Sequence, residues 1–149
     1  MKTFMTLFLS LSLSTAPAWS QTTKPLSAAD LASYTGADRE RVLLEGAKRE
    51  GKVVWYTTLA AEQNKQIASA FEAKYAGVKV DTFRTGSSAL AQRLLTEAKA
   101  QRHLADAIET TLPGLLTFRE NKLLLPYTSP HLASFPDEAK ERASKNLVY

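Results

Sequence analysis

The chain has 149 residues, enough for about one domain at ~100–200 residues each. Its 19 Lys and Arg exceed its 15 Asp and Glu by only +4 and are interspersed without a basic block, so no nucleic-acid surface is indicated. With no cysteine there is no disulfide framework, no thiolate metal site and no lipid-bearing cysteine, and the fold must rest on core packing.

Residues 1–20 form a unit of their own. Met1-Lys2 supplies positive charge, Thr3 to Ser14 is rich in Phe, Leu and Met, Pro17 breaks the helix, and Ala18-Trp19-Ser20 sets small residues at the positions a signal peptidase reads. This is the pattern of a secretory signal peptide cleaved after Ser20. The apolar run is shorter than the ~20 residues of a membrane span, and no later run approaches that length. Loss of Lys2 takes the charge from +4 to +3.

Residues 21–36 read as a polar segment and a short helix. Gln21 to Pro25 is polar. Ser27 caps a helix through Tyr34, with Asp30 at its third position, and Thr35-Gly36 ends it. Asp38 caps a second helix that sets Val42, Leu43 and Ala47 on one face and pairs Glu45 with Arg49 on another. Gly51 suits a left-handed C-cap.

Lys52-Val53-Val54-Trp55-Tyr56-Thr57 is the first strand, a run of β-formers without alternation, as in a strand covered on both faces. A helix follows from about Ala60 to Tyr75. Ile67, Phe71 and Tyr75 form its apolar stripe, widened by Ala68, while Gln63, Asn64, Lys65 and Lys74 face water. Gly77 turns the chain into Val78–Arg84, which alternates Val78, Val80 and Thr82 against Lys79, Asp81 and Phe83, as a strand nearer the sheet edge does. Thr85-Gly86-Ser87-Ser88 leads into a helix to about Gln101, buried along Leu90, Leu94 and Ala98 beside Leu95.

The third strand spans Leu104 to Thr110. Leu112-Pro113-Gly114 opens a helix through about Asn121 with Leu115, Leu116 and Phe118 inward, and Leu123 to Tyr127 is a short apolar return. Ser129-Pro130 and Phe135-Pro136 mark turns. Asp137 caps a last polar helix, and Asn146 to Tyr149 reads as the start of a further strand, cut off. Strand and helix alternate throughout, which predicts an α/β fold with a parallel sheet over residues 37–149.

In such sheets ligands bind beyond the C-terminal strand ends, at helix N-termini. Tyr56-Thr57-Thr58, Gly86-Ser87-Ser88 and Thr110-Thr111 should converge there. Hydroxyls and free helix N–H groups are donors, and the positive end of the helix dipole favours an anion or an anion-bearing chelate. Taken singly, Ser87 and Thr58 read better as helix N-caps, and it is three such ends in one domain that favour a site. Catalytic patterns are missing. His103 stands at a helix-to-strand turn and His131 in a loop, neither with an acid or nucleophile at a recognisable spacing. There is no G-x-S-x-G, P-loop or G-x-G-x-x-G motif, and no metal-ligand spacing. Asp106 lies near the start of the third strand and Glu109 near its end; a paired-carboxylate role is open to them but unspecific, and they read first as solvated or salt-bridged acids. Tyr127 and Tyr149 are phenols able to hold a hard cation, though a lone loop tyrosine more often packs.

Glu45-Gly46-Ala47-Lys48-Arg49-Glu50-Gly51-Lys52-Val53-Val54-Trp55-Tyr56-Thr57-Thr58 resembles the opening of an extracellular solute-binding protein of an ABC importer, of the type similar to ferric-iron-binding periplasmic proteins. Phe71-Glu72-Ala73-Lys74-Tyr75, Thr85-Gly86-Ser87-Ser88, Arg93 to Asp106, and Leu124 to Pro130 match in the same order, so the similarity spans about Ala37 to Tyr149. The resemblance implies two α/β lobes closing by a hinge on a solute between them. It implies a monomeric periplasmic protein without catalytic activity or cofactor. Such a protein captures a small anionic solute, a metal or a metal chelate for an inner-membrane permease and ATPase. The eight strand-end residues named above would be the first lobe's contacts, donating hydrogen bonds to an anionic group.

Relatives of this kind are roughly twice as long, so the resemblance also implies an N-terminal fragment without the second lobe. The phenolate ligands of iron-binding members come largely from that lobe, which leaves the metal unassigned. Gln101 and Lys122 stand where a helix-ending Gly is usual. Ala107 stands for a branched residue, which would leave a small void. Two other readings are a secreted α/β enzyme with an unrecognised site, testable at His103, and a non-functional truncated product with open strand edges and uncovered apolar faces.

Overall fold

Helix and strand alternate in the order that the apolar runs predict. A computed structural model describes residues 27–136. The leader at 1–20, the polar 21–25 stretch, the helix expected after Asp137, and Asn146 to Tyr149 lie outside the described residues. The elements are α1 (Ala28–Ser33), α2 (Arg39–Glu50), β1 (Lys52–Thr57), α3 (Ala61–Lys74), β2 (Lys79–Arg84), α4 (Ser87–Lys99), β3 (Ala107–Glu109) and α5 (Leu112–Glu120). A short 3-10 turn follows at Leu132–Ser134. No helix among these residues is long and apolar enough to cross a membrane.

The capping box of α1 forms as its spacing predicts: Ser27 Oγ accepts from the Asp30 N–H at 3.2 Å, and the Asp30 carboxylate accepts from the Ser27 N–H at 2.9 Å. Asp38 heads α2 but does not cap it with its side chain. Its carboxylate accepts instead from the Tyr34 hydroxyl and from Arg41. Arg41 also reaches Glu45 at 3.0 Å. The expected Glu45–Arg49 pair is thus replaced by one a turn earlier, because Arg41 lies between two acids, at i−3 and i+4. Gly51 ends α2 at φ 79°, the left-handed conformation that glycine adopts without penalty.

The three strands pair in the order β2-β1-β3, all parallel, with Thr57 opposite both Arg84 and Glu109. β2 is an outer strand, as its alternation predicts, and its outward Val80 N–H is satisfied by Glu72 Oε1 at 2.9 Å. β3 is shorter than the expected Leu104–Thr110. The Asp106 carboxylate takes the Val54 N–H at 2.7 Å while its own N–H donates to the Val54 carbonyl. That carboxylate fills the donor a further ladder rung would use, so pairing starts at Ala107 and Leu104 stays exposed. Ala107 is exposed as well, so its small side chain leaves no core void.

One face of the sheet carries the core. Tyr56, Leu90, Leu94 and Phe118 are buried together, with Val54, Phe83, Ile108, Leu115, Leu123 and Leu124 packed around them. Full burial of such a side chain contributes about 1.5–3 kcal/mol. Phe83, expected on the outward face of β2, packs on Tyr56 at a ring separation of 5.1 Å because α4 and α5 cover that face too. Leu116 is the exception on α5 and lies exposed.

The other face is covered by α2 and α3, and α3 is rotated from its expected orientation. Asn64 is 8% exposed and Ile67 49% exposed. The Thr82 hydroxyl meets the Asn64 side chain at 3.4 Å, so the buried stripe runs through Asn64, Ala68, Phe71 and Tyr75. A polar partner on β2 turns inward a residue that composition alone assigns to water. After α5, Leu123 and Leu124 pack on the core, and the Thr128 N–H donates to the Ala32 carbonyl, tying the return to α1.

Candidate functional site

The parallel register carries the three strand ends to one edge, and each continues within a few residues into a helix N-terminus. Thr57, Thr58, Gly86, Ser87, Ser88, Thr110 and Thr111 therefore gather along that edge, as the alternation of strand and helix predicts. Tyr56 does not join them. Successive strand residues point to opposite faces, and Tyr56 is 1% exposed in the core. Its hydroxyl donates to Glu97 Oε1 at 2.9 Å and accepts from Arg93 Nε at 3.1 Å. Burial and the Glu97 carboxylate both push its pKa up, so the phenol stays protonated.

Thr57 is at the edge but has no hydroxyl to offer. It is fully buried, its Oγ1 donates to Glu109 Oε2 at 2.7 Å, and the same oxygen accepts from the Leu59 N–H at 3.1 Å. Glu109 is the residue that organises this end of the sheet. Its Oε2 also accepts from the Thr58 N–H at 2.9 Å and the Leu59 N–H at 3.2 Å, and the Thr58 hydroxyl lies at 3.3 Å. Burial works against the charge, but the donors from Thr57, Thr58 and Leu59 outweigh it and hold the carboxyl below its ordinary range. Glu109 thus occupies, as an internal anion, the donor cluster that β1 would otherwise present. The reading of Glu109 as a solvated or salt-bridged acid is corrected: hydrogen bonds, not a cation, hold it.

Donors remain at the helix starts: at α3 the first amide to bond inside the helix is Asn64, to the Ala60 carbonyl, and α4 and α5 begin in the same way. Gly86, not Ser87, is the N-cap of α4, and no side chain caps the helix. The first amide to bond inside α4 is Leu90, to the Gly86 carbonyl at 2.9 Å, so the Ser87, Ser88 and Ala89 N–H groups point out of the helix end. Ser87 is half-buried and Ser88 exposed. The N-cap alternative fails at Thr58 as well. Ala60 heads α3, and its N–H donates to Gln63 Oε1 at 3.4 Å. At α5, Thr111 is the N-cap, exposed and without a side-chain cap bond. The Thr110 Oγ1 is buried with no partner, against the first turn of α5. There the close approach requires Gly114, because a Cβ at that position would sit 2.9 Å from Thr110 Cγ2. Arg84 adds a cation to the edge, anchored by Nε donating to the Leu59 carbonyl at 2.6 Å.

Other sequence candidates lie elsewhere. Tyr127 sits under the Arg39 guanidinium, 5.4 Å from its ring centroid, and its hydroxyl accepts from Arg39 Nη2 at 2.8 Å, a packing role away from the strand ends. His103 and His131 are exposed. Among the described residues no bond joins either imidazole to an acid or nucleophile, and no three His, Cys, Asp or Glu side chains gather as a metal site. A cavity of about 800 Å3 lies between α2, the last turn of α3 and residues 127–131, away from the C-terminal strand ends.

Neither a protein-family model nor a curated protein sequence matches the chain.

Proposed function

We propose that the chain is the solute-binding component of an ABC importer, capturing a small anionic solute, a metal or a metal chelate in the periplasm as a monomer for delivery to an inner-membrane permease. The observation that carries this reading is the strand edge, where parallel strands deliver α4 and α5 with their N-terminal amides uncapped by side chains. Helix N-termini, serine and threonine hydroxyls and a nearby Arg84 form a donor set for a carboxylate, phosphate or similar group. The order of the Glu45–Thr58, Thr85–Ser88 and Leu124–Pro130 segments, and the secretory pattern of residues 1–20, point the same way.

Glu109 sharpens the position of the bound group. A fixed carboxylate beside β1 repels an anion, so the anionic group sits on the α4 and α5 side, near Ser87, Ser88, Thr110 and Thr111. Calorimetric titration of the purified chain with phosphate, sulfate, citrate and ferric citrate tests the reading. At least one should bind saturably, and Ser88→Ala should weaken it. Failure of all four to bind would count against the proposal.

A further inference from the structure

The two faces of the sheet are unequally filled. α4 and α5 bury Leu90, Leu94 and Phe118 beside Tyr56, whereas no residue of α2 is fully buried and α3 buries only Asn64. The space left on the looser face is the cavity of about 800 Å3, within the ~300–1,000 Å3 range of small-molecule sites. α3 runs back along the sheet, so its last turn and Val78 place this cavity near the N-terminal ends of the strands, away from Ser87 and Thr110.

Its lining is divided. Leu43, Leu44, Ala47, Phe71, Tyr75 and Val78 supply apolar wall. The charged groups are Arg39 and Glu40 from the first turn of α2 and Lys74 from the last turn of α3. Arg39 is fixed before any ligand arrives. Its Nε donates to the Tyr34 carbonyl and its Nη2 to the Tyr127 hydroxyl, both at 2.8 Å, leaving Nη1 without a partner among the described residues. Lys74 Nζ lies 5.0 Å from the centroid of the Tyr75 ring, and the Tyr75 hydroxyl, with a smaller contribution from Glu40, favours its charged form. The N-terminus of α2, uncapped by Asp38, adds its positive dipole end beside Arg39.

We infer that this cavity binds an amphiphilic monocarboxylate, its apolar body against Leu43, Leu44, Phe71 and Tyr75 and its carboxylate between Arg39 and Lys74. The apolar wall accounts for the body of such a ligand, and one held guanidinium with one ammonium matches a single negative head group. Glu40, on the same lining, is the competing anion, and its charge opposes the ligand's carboxylate.

Titration of the purified chain with decanoate and with decanol, followed by calorimetry, tests the inference. Decanoate should bind saturably, one per chain, and about tenfold tighter than decanol. Lys74→Gln should erase most of that preference, and Glu40→Gln should tighten decanoate binding. Both side chains are exposed, so both variants should keep the parent's melt. Equal affinity for acid and alcohol, no saturable binding, or decanoate affinities unchanged in Lys74→Gln and Glu40→Gln would overturn it. Competition between phosphate and decanoate would also overturn it, because the two sites would then be one.

Discussion

The Thr57 hydroxyl donates to the Glu109 carboxylate at 2.7 Å, across the rung where β1 and β3 pair. Through that contact the end of the central strand is closed by an acid of its neighbour, and the loop into α3 is held by the same oxygen through the Thr58 and Leu59 N–H groups. The end of β1 is thereby closed to an outside anion, and the carboxylate disfavours one beside α3, which leaves the starts of α4 and α5 as the favourable positions.

Glu109→Gln should cost about 1–3 kcal/mol at neutral pH, because the charged acceptor for two backbone amides is lost. The pH dependence follows from the lowered carboxyl pKa. The unfolded side chain, at about 4.3, binds its proton more tightly than the folded one. The stabilisation is therefore complete above about pH 4.3 and lost as pH falls through the lower folded value. Urea unfolding from pH 7 downward should show a steeper acid loss for the parent than for Glu109→Gln. Parallel curves would contradict this account.

Gln101 and Lys122 both adopt φ 57° at helix C-termini, with the following amide donating back to the Glu97 and Phe118 carbonyls respectively. This is the six-to-one bond of a Schellman cap, in which glycine avoids the Cβ penalty. Relief of left-handed strain should exceed the extra freedom of the unfolded glycine. Gln101→Gly and Lys122→Gly should each stabilise by about 0.5–1 kcal/mol, additively, in thermal or urea melts.

Gly114→Ala should destabilise by about 1–3 kcal/mol, since the new methyl would meet Thr110 Cγ2 at 2.9 Å. Thr110→Ser removes that methyl and should recover much of the loss. A double-mutant cycle measured by urea unfolding would show a favourable coupling between the two sites. No coupling would mean that the helix start relaxes independently of Thr110.

Local patterns in the sequence carried a good part of this fold. β1 is legible to the residue because a non-alternating β-branched and aromatic run is bounded by Gly51 and by threonines. The Leu90 and Leu94 stripe of α4 and the capping box at Ser27 are legible for the same reason: each depends on neighbours within a turn, whereas the helix-ending positions at Gln101 and Lys122 are marked only by the resemblance. What escaped the sequence depends on partners far along the chain. Asn64 is buried because Thr82 waits across the helix–sheet interface, and β3 is short because Asp106 reaches Val54. Tyr56 leaves the edge because the face it occupies is filled by α4 and α5. Glu109 becomes the centre of the strand edge only once the parallel register sets it opposite Thr57. An acid near the end of a strand beside hydroxyl-rich neighbours is the one local signal that could have drawn attention to it.

The most direct test of the central claim is an amide chemical-shift titration of the isotope-labelled chain with phosphate, sulfate and ferric citrate. The account predicts saturable shifts concentrated at Ser87, Ser88, Ala89, Thr111 and Leu112. The Thr58 and Leu59 amides, already bonded to Glu109, should move little. Shifts centred on Thr58 and Leu59, or no saturable shift with any of these anions, would contradict it.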